Sequence, residues 1–380
     1  MILKPLPFGL QACTTALLLF GAMSRSPGMR VLIFLLIFAM SLYMTIFTTT
    51  GKDSSDIVTW SLITTTLLQA SDALLINDVD GLRLVGQKTP TTELSLSQRC
   101  KWAFKLLTSP RAIGWTHEPR HALPPHPPVN QRRLGFISKQ LLSAVAYFAI
   151  LDMVHTWIIV SPVFQRKGIA LQSDGYPMRF MNTTLHAAHI WSYMSFGYTL
   201  ASVVAVALRI TEPSEWPAIY GRWSDAYTLR RFWGRTWHQV FRRVVSTHVD
   251  FVTYRILKLR KGTFLADNVH RYTAFLVSGI IHAVGEYGMF RDEFWEKSGA
   301  IRFFLLQATA ICVEQEFSKT FRLKPTPWLR RLGYVWTLVW FVHTIPPWMN
   351  PQFRHGMADN YGFPFSVWYR LFNGQWDLVA

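Results

Sequence analysis

Ser278, His282 and Glu286 recur at i, i+4 and i+8 within Tyr272 to Phe290, a stretch otherwise almost free of charge. On a helix they share one face. A neutral imidazole near the middle of such a stretch can take the proton from a hydroxyl, and its near-neutral titration suits a general base. Glu286 is placed to orient the ring or to satisfy its second nitrogen. A buried histidine hydrogen-bonded between helices has the same spacing, so the pattern alone leaves both readings open.

A second dense signal is Tyr227 to Arg243, YTLRRFWGRTWHQVFRR. Trp233 and Trp237 are four apart, and His238 ends the aromatic group with arginines on either side. A basic-aromatic helix of this kind suits a membrane surface, with Trp at the headgroup level and Arg in water. The charges of Arg230, Arg231, Arg235, Arg242 and Arg243 also match the phosphates of an anionic cofactor such as coenzyme A.

The elements that must position these residues follow from composition. The chain has 380 residues, 50% hydrophobic and 15% aromatic, with 16% charged and a formal net charge of +17. Its apolar content excludes disorder, and three scattered cysteines (Cys13, Cys100, Cys312) exclude a disulfide scaffold. The basic excess fits either a nucleic-acid binder or a membrane protein with basic cytosolic loops.

Windows long enough to cross a bilayer pick out eight segments. They are Leu6–Met23, Met29–Phe47, Ile57–Ile76, Leu141–Val160, Leu185–Leu208, Tyr272–Phe290, Ile301–Ser318 and Leu332–Met349. The first is read as a retained anchor and not a signal peptide, because only Lys4 precedes it and a second apolar run follows at once. Phe363 to Ala380, with Arg370 and Asp377, reads as an interfacial helix.

The charges decide between the two readings. Lys88 to Lys139 carries nine basic and two acidic residues, and Arg209 to Lys261 eleven and four. Lys319 to Arg331 has five basic residues and no acid. In the eight-span layout these loops share one side, while Arg291 to Ala300 opposite has two basic and three acidic residues. That is the positive-inside pattern, with basic loops cytosolic and the N-terminus lumenal. The expectation is an all-α, polytopic membrane protein of about eight spans, one domain over residues 1–380, with no nucleic acid bound. The glycosylation sequon Asn182-Thr183-Thr184 falls on the lumenal side, close to a span.

The other ionisable residues at membrane depth are Asp72, Asp152, His155, His186, His189, Glu314, Glu316 and His343. Asp152 and His155, three apart, can pair or cap neighbouring helices. His186 and His189 are expected near a membrane edge within reach of water, and Glu314 and Glu316 in the last turn or so of their span.

Phe232-Trp233-Gly234-Arg235-x-Trp237-His238, followed by Ser278-Gly279-x-x-His282 with 44 residues from one histidine to the other, resembles the wax synthase branch of the membrane-bound O-acyltransferases. The motifs lie in residues 215–350. The resemblance implies that His282 is the catalytic histidine and that His238 occupies a position that is Asn or His in the family. Two positions depart from the family's pattern: Arg231 stands where an acid is usual, and Thr236 replaces a second Arg. The departures put the local ion pairing of that segment in doubt.

The implied reaction moves an acyl group from acyl-CoA to an alcohol, without metal. His282 would take the hydroxyl proton, and His238 would orient substrate or stabilise the oxyanion. Arg230, Trp233, Arg235 and Trp237 would meet the cofactor. Short relatives with His in the first motif point to acetyl-CoA and a terpenoid or meroterpenoid hydroxyl, in the endoplasmic reticulum membrane. Long-chain wax or sterol ester formation is the alternative within the class, and a transporter or scaffold the alternative outside it. His355-x-x-x-Asp359 matches the motif of soluble acyltransferases and is read as a chance match.

Overall fold

The computed structural model describes residues 3–173, 175–360 and 365–374. The chain is all-α. In order it forms α1 (Phe8–Met23), α2 (Pro27–Phe47), α3 (Asp53–Ser71), α4 (Leu96–Leu107), α5 (Arg133–Val160) and α6 (Gly175–Ala207). A single turn, α7 (Leu229–Arg231), precedes α8 (Arg242–Asp250), α9 (Phe264–Phe290) and the short α10 (Phe294–Lys297). The chain then makes α11 (Ala300–Thr320), α12 (Pro327–Arg354) and α13 (Val367–Asn373). Among the described residues one short parallel pairing, Lys4–Pro5 with Thr48–Thr49, and an isolated antiparallel bridge between Leu84 and Trp115 are the extended contacts.

Each of the eight apolar segments is helical, with ends that the apolar windows misplace. Such windows report where charge is absent, whereas caps set where a helix begins. Thr263 starts α9 by accepting from the Ala266 amide at 3.2 Å, eight residues before the window. Among the described residues four helical stretches are long and apolar enough to cross a membrane: Pro27–Phe47, Arg133–Val160, Gly175–Ala207 and Phe264–Lys297. Helix α1 has 16 residues, about 24 Å of rise, less than a hydrocarbon core. On α2, Leu32, Leu35 and Leu36 are each about half exposed, an apolar surface suited to lipid.

The contacts divide the chain into two units. The first comprises residues 1–119 and 239–321, with α9 packed on α3 and α11. Gly285 permits that packing, since a Cβ there would lie 2.5 Å from the Ile57 carbonyl oxygen of α3. Beneath it the fully buried Trp60 donates to the Thr45 carbonyl at 3.1 Å. The expected span Ile57–Ile76 ends differently from its window: α3 stops at Ser71 and Asp72–Ile76 is a π-helical turn. Asp72, fully buried, is neutralised there by Arg243 at 2.8 Å.

In the same unit Asp80 bridges two buried arginines, Arg30 at 2.7 Å and Arg99 at 2.8 Å. Burial alone would raise its carboxyl, but the hydrogen bonds and charges of Arg30 and Arg99 outweigh it and hold the pKa below 3.8. A depressed acid stabilises the fold above its unfolded pKa, and that stability fades as pH falls through the folded value. Asp80→Asn should therefore lower the melting temperature at pH 7. The gap to wild type should close below about pH 4, read by thermal denaturation across pH.

The second unit comprises residues 120–238 and 322–380. Its longest contact runs between α5 and α6. His186 and His189, expected near water, are 2% and 5% exposed. Helix α6 begins at Gly175 and not at Leu185, which adds about 15 Å of helix ahead of them. Asn182 of the sequon is likewise fully buried inside α6, its Oδ1 accepting from the Trp157 indole at 3.1 Å. In the folded chain it is held away from glycosylation.

Asp152 caps a neighbouring helix: its Oδ2 accepts from the Val367 and Trp368 amides at 2.8 and 3.1 Å, fixing the start of α13. That helix is the described part of the expected interfacial segment; residues 361–364 and 375–380, with Asp377, lie outside the described residues. Asp359 of the chance motif is engaged by Arg166 at 2.5 Å.

Candidate active site

His282 belongs to the first unit, near the middle of α9, where it is half-buried. Its ring stacks on Phe304 of α11, with centroids 5.0 Å apart and planes 17° apart. A stacked aromatic fixes the plane of the imidazole and so the direction of its nitrogens. The S-G-x-x-H spacing now has a physical reading. A Cβ on Gly279 would lie 3.2 Å from the Ile301 Cα and 3.4 Å from the Phe304 Cβ, so glycine lets α11 close on α9 one turn before His282. Ser278 donates back to the Ala274 carbonyl at 3.1 Å and steadies the same turn.

Glu286 is fully buried, and its Oε2 accepts from Ser298 Oγ at 2.5 Å and from the Gly299 and Ala300 amides at 3.1 Å each. It caps the N-terminus of α11, where the helix dipole favours a carboxylate. Through that cap Glu286 positions the helix carrying Phe304. At the far end of α11 Glu316 is surface-directed and pairs with Lys319 at 2.8 Å.

The first motif closes the second unit. The expected single helix over Tyr227–Arg243 is broken into α7, a π-helical turn at Phe232–Thr236 and an extended Trp237, before α8 begins at Arg242. Thr236 causes the break: it is fully buried, and its hydroxyl donates to the Arg222 carbonyl at 3.1 Å while its own carbonyl accepts from the Gly221 amide at 2.9 Å. A Cβ on Gly221 would fall 1.9 Å from the Arg235 carbonyl oxygen, so only glycine admits this crossing. The departures from the family pattern are thus accommodated. Arg231 pairs with Asp225 at 2.8 Å and lies over the Tyr227 ring at 4.7 Å, while Thr236 serves as an inward anchor.

The turn gathers Phe232, Trp233 and Trp237 into one aromatic group against Phe341 of α12, with centroids 4.6 to 6.2 Å apart. His238 lies at the edge of that group, 5.5 Å from Trp237 and 6.0 Å, edge to face, from Tyr220. Burial pushes the Tyr220 phenol up, so it stays neutral, and it donates to Met194 Sδ at 3.4 Å. Arg230 and Arg235 are exposed. Arg243 is not among such charges: it turns inward to Asp72 and donates to the Leu106 carbonyl at 3.1 Å.

The motifs name His282 and His238 but not Phe304 and Tyr220, aromatics in segments with no spacing signal toward either histidine. The small residues of α9, Gly279, Gly285 and Gly288, were the one legible sign that other helices close on it.

Residues 216–306, which contain both motifs, match the model of the membrane bound O-acyl transferase family. The chain is 68% identical over 378 residues to Acetyltransferase eriL of Hericium erinaceus, covering 100% of this chain and 99% of that protein. It is 30% identical over 387 residues to Acetyltransferase ple2 of Rhodocybe pseudopiperita, covering 98% of each. Acetyltransferase aurG of Calcarisporium arbuscula is 29% identical over 297 residues, 72% of this chain and 70% of that one. With likeness running the whole length and an apolar helix presenting His282, the chain belongs to the membrane bound O-acyl transferase family and is a membrane enzyme of acyl transfer.

Proposed function

We propose that the protein is an O-acetyltransferase, moving an acetyl group from acetyl-CoA to a hydroxyl of a hydrophobic terpenoid or meroterpenoid secondary metabolite. The observation that carries this reading is His282, held on an apolar helix with its ring plane set by Phe304. Likeness along the whole chain to proteins named acetyltransferases supports the acetyl group.

His282 takes the proton from the acceptor hydroxyl as its oxygen attacks the thioester carbonyl. The tetrahedral oxyanion collapses, the C–S bond breaks, and the imidazolium returns the proton to the coenzyme A thiolate. No net proton is released, and no acyl-enzyme is needed. His238 orients a substrate or donates to the oxyanion. Arg230 and Arg235 meet the cofactor's phosphates, with Trp233 and Trp237 beside them.

Residues 1–380 serve this one activity, with the motifs in 215–350. The enzyme resides in the endoplasmic reticulum membrane with its basic loops cytosolic, so that acetyl-CoA arrives from the cytosol and the alcohol from the bilayer.

The double variant Arg230→Ala/Arg235→Ala should raise the KM for acetyl-CoA about tenfold with kcat little changed, as expected for contacts made equally in ground and transition states. Steady-state kinetics at fixed salt checks this. The function itself is tested by removing the protein from its producer and comparing metabolites. The loss of an acetyl ester with accumulation of its free alcohol is expected, and an unchanged profile would overturn the proposal.

A further inference from the structure

The face of α6 buried within the second unit is polar. Asn182, Thr183 and His186 lie within about a turn of one another, and His189 follows three residues on, its ring 6.4 Å from that of His155 on α5. Asn182, Thr183 and His186 are 0%, 3% and 2% exposed. Yet Asn182 Nδ2, Thr183 Oγ1 and both ring nitrogens of His186 have no hydrogen-bond partner among the described residues. Helix packing does not require this. On the same face Ser192 and Ser202 bond their own helix, at 2.8 Å to the Ala188 carbonyl and 2.7 Å to that of Thr199. Unmet polar groups at membrane depth are costly, and a ligand that meets them removes the cost.

An apolar pocket of about 280 Å³, walled by Met153, Thr156, Trp157, Val160, Leu185 and Trp368, adjoins these groups through Trp157 and Leu185, which stand between them and its space. Trp157 is common to both features: its ring walls the pocket, and its indole N–H donates to Asn182 Oδ1 at 3.1 Å. Leu185 immediately precedes His186. The mechanism proposed above uses none of these residues.

We infer that this part of the second unit is a binding site for an oxygenated apolar molecule. Its hydrocarbon body occupies the pocket, and as the Trp157 and Leu185 side chains turn aside its hydroxyl or carbonyl oxygens exchange hydrogen bonds with Asn182, Thr183 and His186. An amide, a hydroxyl and a neutral imidazole supply both donors and acceptors, which suits such oxygens. A charged ligand is not matched, because Arg179, one turn before Thr183 on α6, is turned to the Val342 carbonyl at 2.7 Å and the nearby Asp152 already caps α13. The volume is at the small end of ligand pockets and fits a few fused rings.

The test uses the purified full chain in detergent, with melting-temperature shifts titrated against sclareol and manool. These labdane alcohols share a skeleton, and sclareol carries a second hydroxyl where manool has an exocyclic alkene. Both are tertiary alcohols, so the readout is binding and not turnover. Wild type should bind sclareol about tenfold more tightly than manool, the effect of one buried polar group left unpaired. His186→Phe should erase the preference, and the near-isosteric Thr183→Val should reduce it if His186→Phe does not fold. His282→Ala should keep it. Equal affinity in wild type, or a preference that survives both His186→Phe and Thr183→Val, would overturn the site. A preference lost in His282→Ala would also overturn it, by moving the oxygen contact elsewhere. An intact preference in a protein that transfers no acetyl group would sink the function proposed above and leave this site standing.

Discussion

His282→Ala is expected to lower acetyl transfer by about 10²- to 10⁴-fold, the range a positioned general base contributes. The loss should appear in kcat and in kcat/KM alike, because the proton moves only in the transition state. Folding should survive. His282 is half-buried, and stacking on Phe304 at 5.0 Å is worth about 0.5–1.5 kcal/mol beyond its buried area. Gly279, Glu286 and the α9–α11 contact do not depend on the imidazole. Melting curves of wild type and variant in the same detergent separate the two effects. Unchanged turnover in the folded variant would rule out His282 as the base.

Arg243→Ala is expected to cost about 3–5 kcal/mol of stability, because it strands the fully buried Asp72 without its counter-charge. The damage should spread. Asp72 Oδ1 also accepts from Asn77 at 2.5 Å, Ser71 meets His248 at 2.6 Å, and Arg243 holds the Leu106 carbonyl at 3.1 Å. One network thus ties the ends of α3 and α4 to α8. Replacing both partners, as Asp72→Leu with Arg243→Met, should recover much of the loss, since a buried pair often adds little over apolar groups of similar volume. Denaturation midpoints of the two variants check this, and a single variant as stable as wild type would contradict it.

The sequence reading reached His282 because its helix is almost free of charge, which makes one imidazole conspicuous. It reached the first motif because Trp and Arg crowd into 17 residues. It misjudged the shape of that motif for a physical reason. Leu, Arg and Trp all tolerate a helix, and what ends it is Thr236 turning inward to the Arg222 carbonyl, a contact 14 residues away. Glu286 shares a helix face with His282, but it accepts from the amides of Gly299 and Ala300 at the start of α11, which no pattern within α9 reveals. His186 and His189 were placed one window edge too near water, because Gly175–Tyr176-Pro177 begins a helix that polar residues disguise. Long-range closure, through Gly279 on Ile301 and Gly221 on Arg235, is what sequence spacing hints at and only the fold supplies.

The most direct measurement is release of free coenzyme A by the purified protein supplied with acetyl-CoA and an apolar terpenoid alcohol. The account predicts alcohol-dependent release, matched mole for mole by acetyl ester and lost in His282→Ala. Release that ignores the alcohol, or ester formation that persists undiminished in folded His282→Ala, would contradict it.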